Sequence, residues 1–234
     1  MEITIQKNVE IQSVDDWFFC APPKGKEKQW KDNYSAKELA TFATSPEFKP
    51  FIENLLSECK IKCDEFICIP EAETNLPGDY RGPRNHDLLM IGKNVIIGIE
   101  AKVNEPYGNS IEQELKDCSK GKKERINWMK KVLFNGDCDN NKIKYQLMTG
   151  VCGTLLEAVR KNVEKCIFLV LSFNIDGVES NKQNEKAFES FIKQLGMNGA
   201  GDKSFLVNTE DTGDKRIICH IIKKNIIIPL RYKF

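Results

Sequence analysis

The sequence predicts a mixed α/β domain whose central sheet contains an antiparallel hairpin and is flanked by helices. Three observations predict this class. Two apolar, strand-like runs separated by a short polar turn occupy residues 86–102. A continuous apolar run at residues 166–173 is typical of a strand buried on both faces. Stretches with apolar residues at helical spacing lie before and between these strands.

Local patterns predict the elements before the hairpin. Ser35 to Glu38 matches a capping box that opens a helix, and helical spacing resumes after Pro46. The predicted order is a strand at 3–5, a helix from 35, its continuation to about 59, a strand at 65–69 and a turn-rich loop at 76–84.

The elements after the hairpin follow from the same reasoning. Ser110 is predicted to begin one long, highly charged helix, and Gly196 to stop a short one. The predicted order is a helix at 110–134, a helix at 143–161, the buried strand at 166–173, a helix at 184–195 and closing strands at 205–207, 216–222 and 226–228.

Composition favours a cytoplasmic globular protein. The 234 residues are 41% hydrophobic and 29% charged, and no apolar run reaches the roughly 18–20 residues that span a bilayer. The first residues do not resemble a secretion signal. Nine scattered cysteines favour reduced thiols rather than disulfides. The formal net charge is +1, so any nucleic-acid binding must come from local patches.

The available ligand types limit the choice of metal. There are only two histidines, which excludes a histidine-rich site. Cys59, Cys63 and Cys68 form the one cysteine cluster, and its spacing matches no common zinc pattern. A catalytic metal would therefore have oxygen ligands, which favours magnesium, manganese or calcium.

The hairpin carries an unusual charge arrangement. If Lys93 and Asn94 form a two-residue loop, residues whose numbers sum to 187 face each other, and Asp87 lies opposite Glu100. Opposed Cβ atoms are about 4.5–5.5 Å apart, where like charges destabilise a sheet. Lys102 lies on the same face as Glu100. A three-residue loop would instead place Asp87 opposite Ile99.

Two carboxylates between apolar strands need a shared proton, a cationic side chain or a metal ion. The chain has three Glu-x-Lys triplets, and two of them, at 58–60 and 114–116, lie in predicted helices where positions i and i+2 do not share a face. Only the triplet at 100–102 ends a strand whose hairpin partner begins with an aspartate. This context singles it out.

The region around the hairpin resembles the PD-(D/E)xK nuclease superfamily, which has a restriction-endonuclease-like core. That core runs helix, three antiparallel strands, helix, strand, with an aspartate on the second strand and Glu-x-Lys on the third. The chain is predicted to be a single domain, residues 1–234. The resemblance covers about residues 35–173 of it. Residues 1–34 form an N-terminal segment, and residues 174–234 form a C-terminal elaboration of the core. His86 stands where the family often has proline. Residues 30–40 also resemble uncharacterised bacterial proteins with this core.

The resemblance implies a metal-dependent active site. Asp87 and Glu100 would be metal ligands, together with the Ala101 backbone carbonyl, and Lys102 would be the catalytic lysine. Asp87, Glu100 and Lys102 are the candidate catalytic residues, with Mg²⁺ or Mn²⁺ as the expected cofactor. Glu38 would be a further metal ligand from the first helix, unless its role is only to cap that helix.

Four residues are candidate substrate contacts. Several branches of the superfamily place a glutamine near the start of the helix before the buried strand, which suggests Gln146 and its neighbour Tyr145. Arg81 and Arg84 would contact phosphate or serve as ordinary loop charges. The basic stretch at 120–131 either contacts a phosphate backbone or is simply a solvated helix face.

Two loop acids, Glu71 and Glu73, are predicted to be solvated. The function implied for the whole chain is phosphodiester hydrolysis in DNA, in restriction, defence or repair. Two alternatives stay open: an inactive nuclease-fold binding or assembly module, and a hydrolase acting on RNA or a nucleotide. DNA is the expected partner, and RNA is a possible second partner. A homodimer would suit paired cuts on duplex DNA. No membrane association is expected.

Overall fold

The computed structural model describes residues 1–80, 82–103, 105–176, 182–199, 201–209 and 213–229. Within these ranges, seven strands form one mixed sheet in the order β1-β3-β4-β5-β6-β8-β7, and the two-residue β2 pairs with the outer side of β1. The strands are β1 (Glu2–Lys7), β2 (Val9–Glu10), β3 (Glu65–Thr74), β4 (Arg84–Gly92), β5 (Ile96–Lys102), β6 (Lys165–Ile175), β7 (Gly201–Thr209) and β8 (Gly213–Ile228).

Helices cover both faces of this sheet. The helices are α1 (Val14–Cys20), α2 (Ser35–Ala43), α3 (Phe48–Glu58), α4 (Ile111–Leu115), α5 (Lys120–Phe134), α6 (Tyr145–Arg160) and α7 (Lys182–Gln194), with a 3₁₀ turn at Lys26–Lys28. Strands β3, β4 and β5 are antiparallel, whereas β6 runs parallel to β5. The predicted mixed α/β architecture with an inner hairpin is confirmed.

The core consists of one apolar layer on each face of the sheet. Helices α5, α6 and α7 pack on one face, and α1, α2 and α3 on the other. Strand β6 contributes to both layers and is buried from residue 166 to residue 173, as predicted. Each large apolar side chain buried in this way contributes about 1.5–3 kcal/mol. Among the described residues, no helix has the length and hydrophobicity needed to cross a bilayer.

The predicted capping box at the start of α2 is wrong. Tyr34 is the N-cap residue and makes no side-chain cap, while the Glu38 carboxylate accepts the backbone N–H of Asn33 at 2.8 Å. A complete capping box occurs instead at α4, between Ser110 and Gln113. The Ser-x-x-Glu pattern therefore located the helix start without identifying the bonds that stabilise it.

The predicted long helix from Ser110 is interrupted. Helix α4 ends at Leu115, Asp117 adopts a left-handed φ of 52°, and the Ser119 side chain caps the start of α5. Two further boundaries differ: β3 continues to Thr74, and the last two predicted strands form the single strand β8. Helix α1, capped by Ser13, was not predicted.

The usual alternation of faces is broken near the end of the β3–β4 pair. Ile69 and Ala72, three residues apart, both contact the cluster on the α6 face. Leu89 faces α6, and so does His86, because a Cβ on Gly153 of α6 would lie 3.0 Å from His86 Nε2. This break turns the start of β4 toward α6.

Candidate active site

The hairpin has the predicted register. Four ladder pairs, from Leu88–Ile99 to Ile91–Ile96, have residue numbers that sum to 187. The Gly92 N–H donates to the Val95 carbonyl at 2.9 Å and closes the predicted two-residue loop. The alternative register is therefore wrong. Asp87 and Glu100 come next in this register, at the point where the ladder pairing ends.

Glu100 is completely buried and fully paired. Its Oε1 accepts from Lys102 Nζ at 2.6 Å and from Gln146 Nε2 at 2.6 Å, and its Oε2 pairs with Arg84 Nη2. Burial alone would raise the pKa of Glu100, but the charges of Lys102 and Arg84 outweigh it and hold the pKa below its ordinary value. The carboxylate is therefore ionised and neutralised by two cations.

Lys102 is 5% exposed and carries a stable charge. Burial lowers its pKa, but attraction to Glu100 and then Asp87 raises it above the ordinary value overall. Its ammonium lies 6.0 Å from the centre of the Tyr107 ring. With its pKa raised, Lys102 is suited to stabilising negative charge, and poorly suited to removing a proton from water.

Asp87 borders the cleft beside this ion network. Its Oδ2 accepts the backbone N–H of Ala101 at 2.7 Å. Burial, followed by repulsion from Glu100, raises the pKa of Asp87 to about 8, although Lys102 and Arg84 oppose the shift. A carboxyl group of this kind is favoured in its protonated form until a further cation arrives.

Glu71 is a candidate site residue that sequence reasoning missed. Glu73 is exposed as predicted, but Glu71 is half-buried, lines the cleft and acts electrostatically on Asp87. Burial raises its pKa, while a hydrogen bond from Asn85 opposes the shift. No sequence signal marks Glu71, because its position depends on a left-handed φ of 47° inside a strand. Lys7 Nζ bonds to the Glu71 carbonyl at 2.9 Å and helps hold this turn.

The Glu71 backbone predicts a reversal of the usual preference for alanine over glycine in strands. Both Glu71→Gly and Glu71→Ala remove the carboxylate, but only glycine adopts a positive φ without strain. We expect the glycine variant to have the larger free energy of unfolding, by about 0.5–1 kcal/mol, in urea denaturation. The same pair of substitutions at Glu73, where φ is not positive, should favour alanine. If the alanine variant were the more stable of the two at both positions, the strained conformation of Glu71 would be contradicted.

The side chains of Asp87, Glu100 and Lys102 lie beside a cleft of about 950 Å³ at one end of the sheet. The first turns of α2 and α6 border this cleft, and neither N-cap residue, Tyr34 or Lys144, caps its helix with a side chain. Backbone N–H groups at helix N-termini favour anions. Residues from both faces of the sheet meet here, including Tyr34, Ser35, Tyr80, Arg84, Tyr145 and Gln146.

The predicted site residues are not all brought together. Asp87, Glu100 and Lys102 converge with Gln146 and Arg84, and Tyr145 lines the same cleft. Glu38 is buried in α2 and is not among the described cleft-lining residues. Arg81 lies outside the described residues.

Arg125, from the basic stretch at 120–131, has a structural role and also lines the cleft. Its side chain is buried, and its guanidinium lies 4.8 Å from the centre of the Tyr80 ring. Close docking of the 76–82 loop on α5 also needs Gly121, because a Cβ there would lie 1.6 Å from the Asp79 carbonyl oxygen. The guanidinium donates to four backbone carbonyls of this loop, those of Leu76, Pro77, Tyr80 and Gly82.

His86 is likewise structural in this arrangement. It is completely buried, and its Nε2 lies 3.1 Å from the Thr74 hydroxyl, which donates to Glu157 Oε1 at 2.8 Å. Burial, reinforced by Arg84, lowers the pKa of His86 to about 3, so the ring is neutral. Through the Thr74 hydroxyl of β3, it links β4 to Glu157 of α6.

The donor set suits a hard divalent cation, with one restriction. Carboxylate and carbonyl oxygens of Asp87, Glu100 and Ala101 are the ligand types that Mg²⁺ and Mn²⁺ prefer. Within the part of the chain that the structure describes, no three ligating side chains of His, Cys, Asp or Glu form a ready metal site. A cation would therefore depend on water and backbone ligands, and the bond from Arg84 to Glu100 Oε2 competes with it.

Comparisons with known proteins place the chain in a family. No curated protein and no solved structure matches it. Residues 10–225 match a family described as a domain of unknown function, DUF6946. Because this match covers most of the chain, the protein belongs to the DUF6946 family.

Proposed function

We propose that this protein is a metal-dependent nuclease that hydrolyses phosphodiester bonds, with DNA as its main substrate. The observation that carries the proposal is the ion cluster of Asp87, Glu100 and Lys102, brought together by the hairpin register at the wall of a cleft. A role in restriction, defence or repair follows only by analogy with nucleases of the resembled type.

The order of elements supports a restriction-endonuclease-like core. Helix α3 is followed by antiparallel β3, β4 and β5, then by α6 and by β6 parallel to β5. Asp87 lies on the second of these antiparallel strands and Glu100 on the third. This is the order expected of that core, with α4 and α5 inserted between β5 and α6.

The surroundings of the cleft suit a polyanion. The first turns of two helices border it, and the positive end of a helix dipole favours anions. The loop beside α2 carries exposed lysines, one of which, Lys24, lines the cleft. The exposed lysines of this loop are Lys24, Lys26, Lys28 and Lys31. Such a local basic patch binds phosphates even though the net charge of the chain is only +1.

The side chains divide the work by charge. Lys102 keeps Glu100 ionised and places an ammonium where negative charge develops on the phosphate. Gln146 orients the Glu100 carboxylate, and Asp87 presents a second carboxyl group at the cleft wall. A divalent cation held by Asp87, Glu100 and the Ala101 carbonyl would stabilise charge on the phosphate and lower the pKa of a bound water.

Removal of the lysine charge tests this function. Wild type, Lys102→Met and the control Lys215→Met would be incubated with plasmid DNA, single-stranded DNA and single-stranded RNA, with Mg²⁺, Mn²⁺ or chelator. We expect cleavage by wild type only with metal, and at least about a hundredfold slower cleavage by Lys102→Met. Lys215 is exposed on β8 away from the cleft, so its variant should match wild type within about twofold.

Two results would sink the proposal: no cleavage of any substrate by wild type, or equal rates for wild type and Lys102→Met. Circular dichroism would establish that Lys102→Met is folded. Methionine keeps much of the lysine volume, and Glu100 retains Arg84 and Gln146 as partners. A rate preference among the three nucleic acids would identify the substrate class.

A binding module without catalysis is the second candidate. The observation favouring it is that Glu100 is fully paired by side chains of the chain itself, as in a structural ion network. A ligand that binds only the folded state must raise the unfolding midpoint. Thermal melts with and without millimolar Mg²⁺ or Mn²⁺ separate the candidates: a shift favours the nuclease, and no shift favours the module.

A further inference from the structure

Arg84 occupies an unusual position for a cleft residue. Its side chain is only 9% exposed, yet it lines the cleft. One end of the guanidinium pairs with Glu100 Oε2, while the buried Nε–H has no hydrogen-bond partner among the described residues. An unpaired buried donor is costly, so this arrangement leaves Arg84 with binding capacity that the protein does not use.

The packing of Arg84 favours movement of its guanidinium over movement of its stem. A Cβ on Gly153 would lie 3.1 Å from Arg84 Cγ, so the stem rests against the α6 backbone where only glycine leaves room. Arg84 is the first residue of β4, next to the turn-rich loop. Rotation of the terminal torsions alone would turn the guanidinium from Glu100 toward the cleft.

Charge balance explains why the position of the Arg84 guanidinium affects metal binding. Asp87 and Glu100 can carry two negative charges, and Arg84 and Lys102 carry two positive ones. A divalent cation added to this set would meet two fixed positive charges and a Glu100 oxygen already bonded to Arg84. A phosphodiester in the cleft offers Arg84 a bidentate partner and removes this competition.

We propose that Arg84 is a phosphate-responsive gate: it pairs with Glu100 when the cleft is empty, and a substrate phosphate draws it away and opens the metal position. The inference rests on the proposed function, since it concerns the same cleft. It predicts reciprocal coupling, in which an anionic backbone in the cleft tightens metal binding and metal tightens binding of that backbone. The protein would then bind metal more tightly, by about tenfold, when its substrate is present.

Metal binding tests the gate without reference to cleavage. The Kd for Mn²⁺ would be measured by calorimetry for metal-free wild type, Arg84→Met, Arg84→Gln and the control Arg216→Met. Arg216 is exposed on β8, away from the cleft. We expect both Arg84 variants to bind Mn²⁺ about tenfold more tightly than wild type, and Arg216→Met to match wild type. Arg84→Gln keeps a hydrogen-bond donor for Glu100, and it replaces Arg84→Met in the measurement if the methionine variant does not fold.

A second set of titrations tests the coupling. A phosphorothioate oligonucleotide, which is anionic and resists hydrolysis, should tighten Mn²⁺ binding by wild type about tenfold. A methylphosphonate oligonucleotide, which lacks the charge, should have no effect, and the Arg84 variants should gain nothing from either. Equal Mn²⁺ affinity of wild type and both Arg84 variants would overturn the gate. Absence of nuclease activity together with this coupling would overturn the proposed function and leave the gate intact.

Discussion

Replacing Asp87 with asparagine is expected to abolish cleavage while making the metal-free protein more stable. Asparagine keeps an oxygen that can accept the Ala101 N–H, but it removes a carboxylate that is costly to ionise beside Glu100. Loss of this proposed metal ligand should slow cleavage at least about a hundredfold. Functional groups of this kind commonly reduce stability where they serve activity.

The stability gain should depend on pH in a defined direction. The pKa of Asp87 is about 8 in the folded protein, compared with 3.8 for an ordinary aspartate, which represents the unfolded chain. The folded protein therefore binds this proton more tightly than the unfolded chain does. The stability of wild type relative to Asp87→Asn is therefore highest below about pH 4 and is lost as pH rises toward 8. In chelator, we expect the variant to gain about 2 kcal/mol or more at pH 9 and little at pH 4. Parallel stability curves would contradict a raised pKa.

Replacing Arg125 with methionine is expected to cost about 3 kcal/mol of unfolding free energy. The guanidinium is buried and donates to four carbonyls of the 76–82 loop, which would lose these bonds together. Lys123→Met, on an exposed position of the same helix, is the matched control and should change stability by less than about 0.5 kcal/mol. Urea denaturation measures both.

The same substitution also separates a structural role for Arg125 from direct phosphate contact. If Arg125 positions the loop, a variant that remains folded should show increased proteolysis at 76–82 and weaker oligonucleotide binding together. If it contacts phosphate directly, binding should weaken while the loop stays protected and stability changes little. The second outcome would contradict the bonding described for Arg125.

Much of the fold was predictable because it depends on local patterns. The hairpin register follows from the length of its loop, which the sequence limits to two or three residues, and the two-residue loop is the one observed. The buried strand β6 follows from its uninterrupted apolar run. Helix boundaries were less predictable: a highly charged stretch does not reveal the break at Asp117, which depends on a backbone conformation.

The candidate site was predictable only in part. Asp87, Glu100 and Lys102 follow from the register, because Asp87 and Glu100 are opposite each other on neighbouring strands and Lys102 is two residues after Glu100 on the same strand. Glu71 was wrongly expected to be a solvated loop acid, because nothing local shows that β3 continues past it. Arg125 belongs to a basic stretch, and only its burial distinguishes it from the exposed lysines around it.

The sequence by itself determined the mixed α/β architecture and limited the hairpin to two registers, one of which brings two acids and a lysine together, because periodicity and turn length act over short distances. Only the tertiary structure decided what those acids contact. Arg84 and Gln146 reach Glu100 across 16 and 46 residues of chain. Gln146 belongs to α6, and the Arg84 side chain packs against Gly153 of α6, so both contacts depend on how distant segments fill the core.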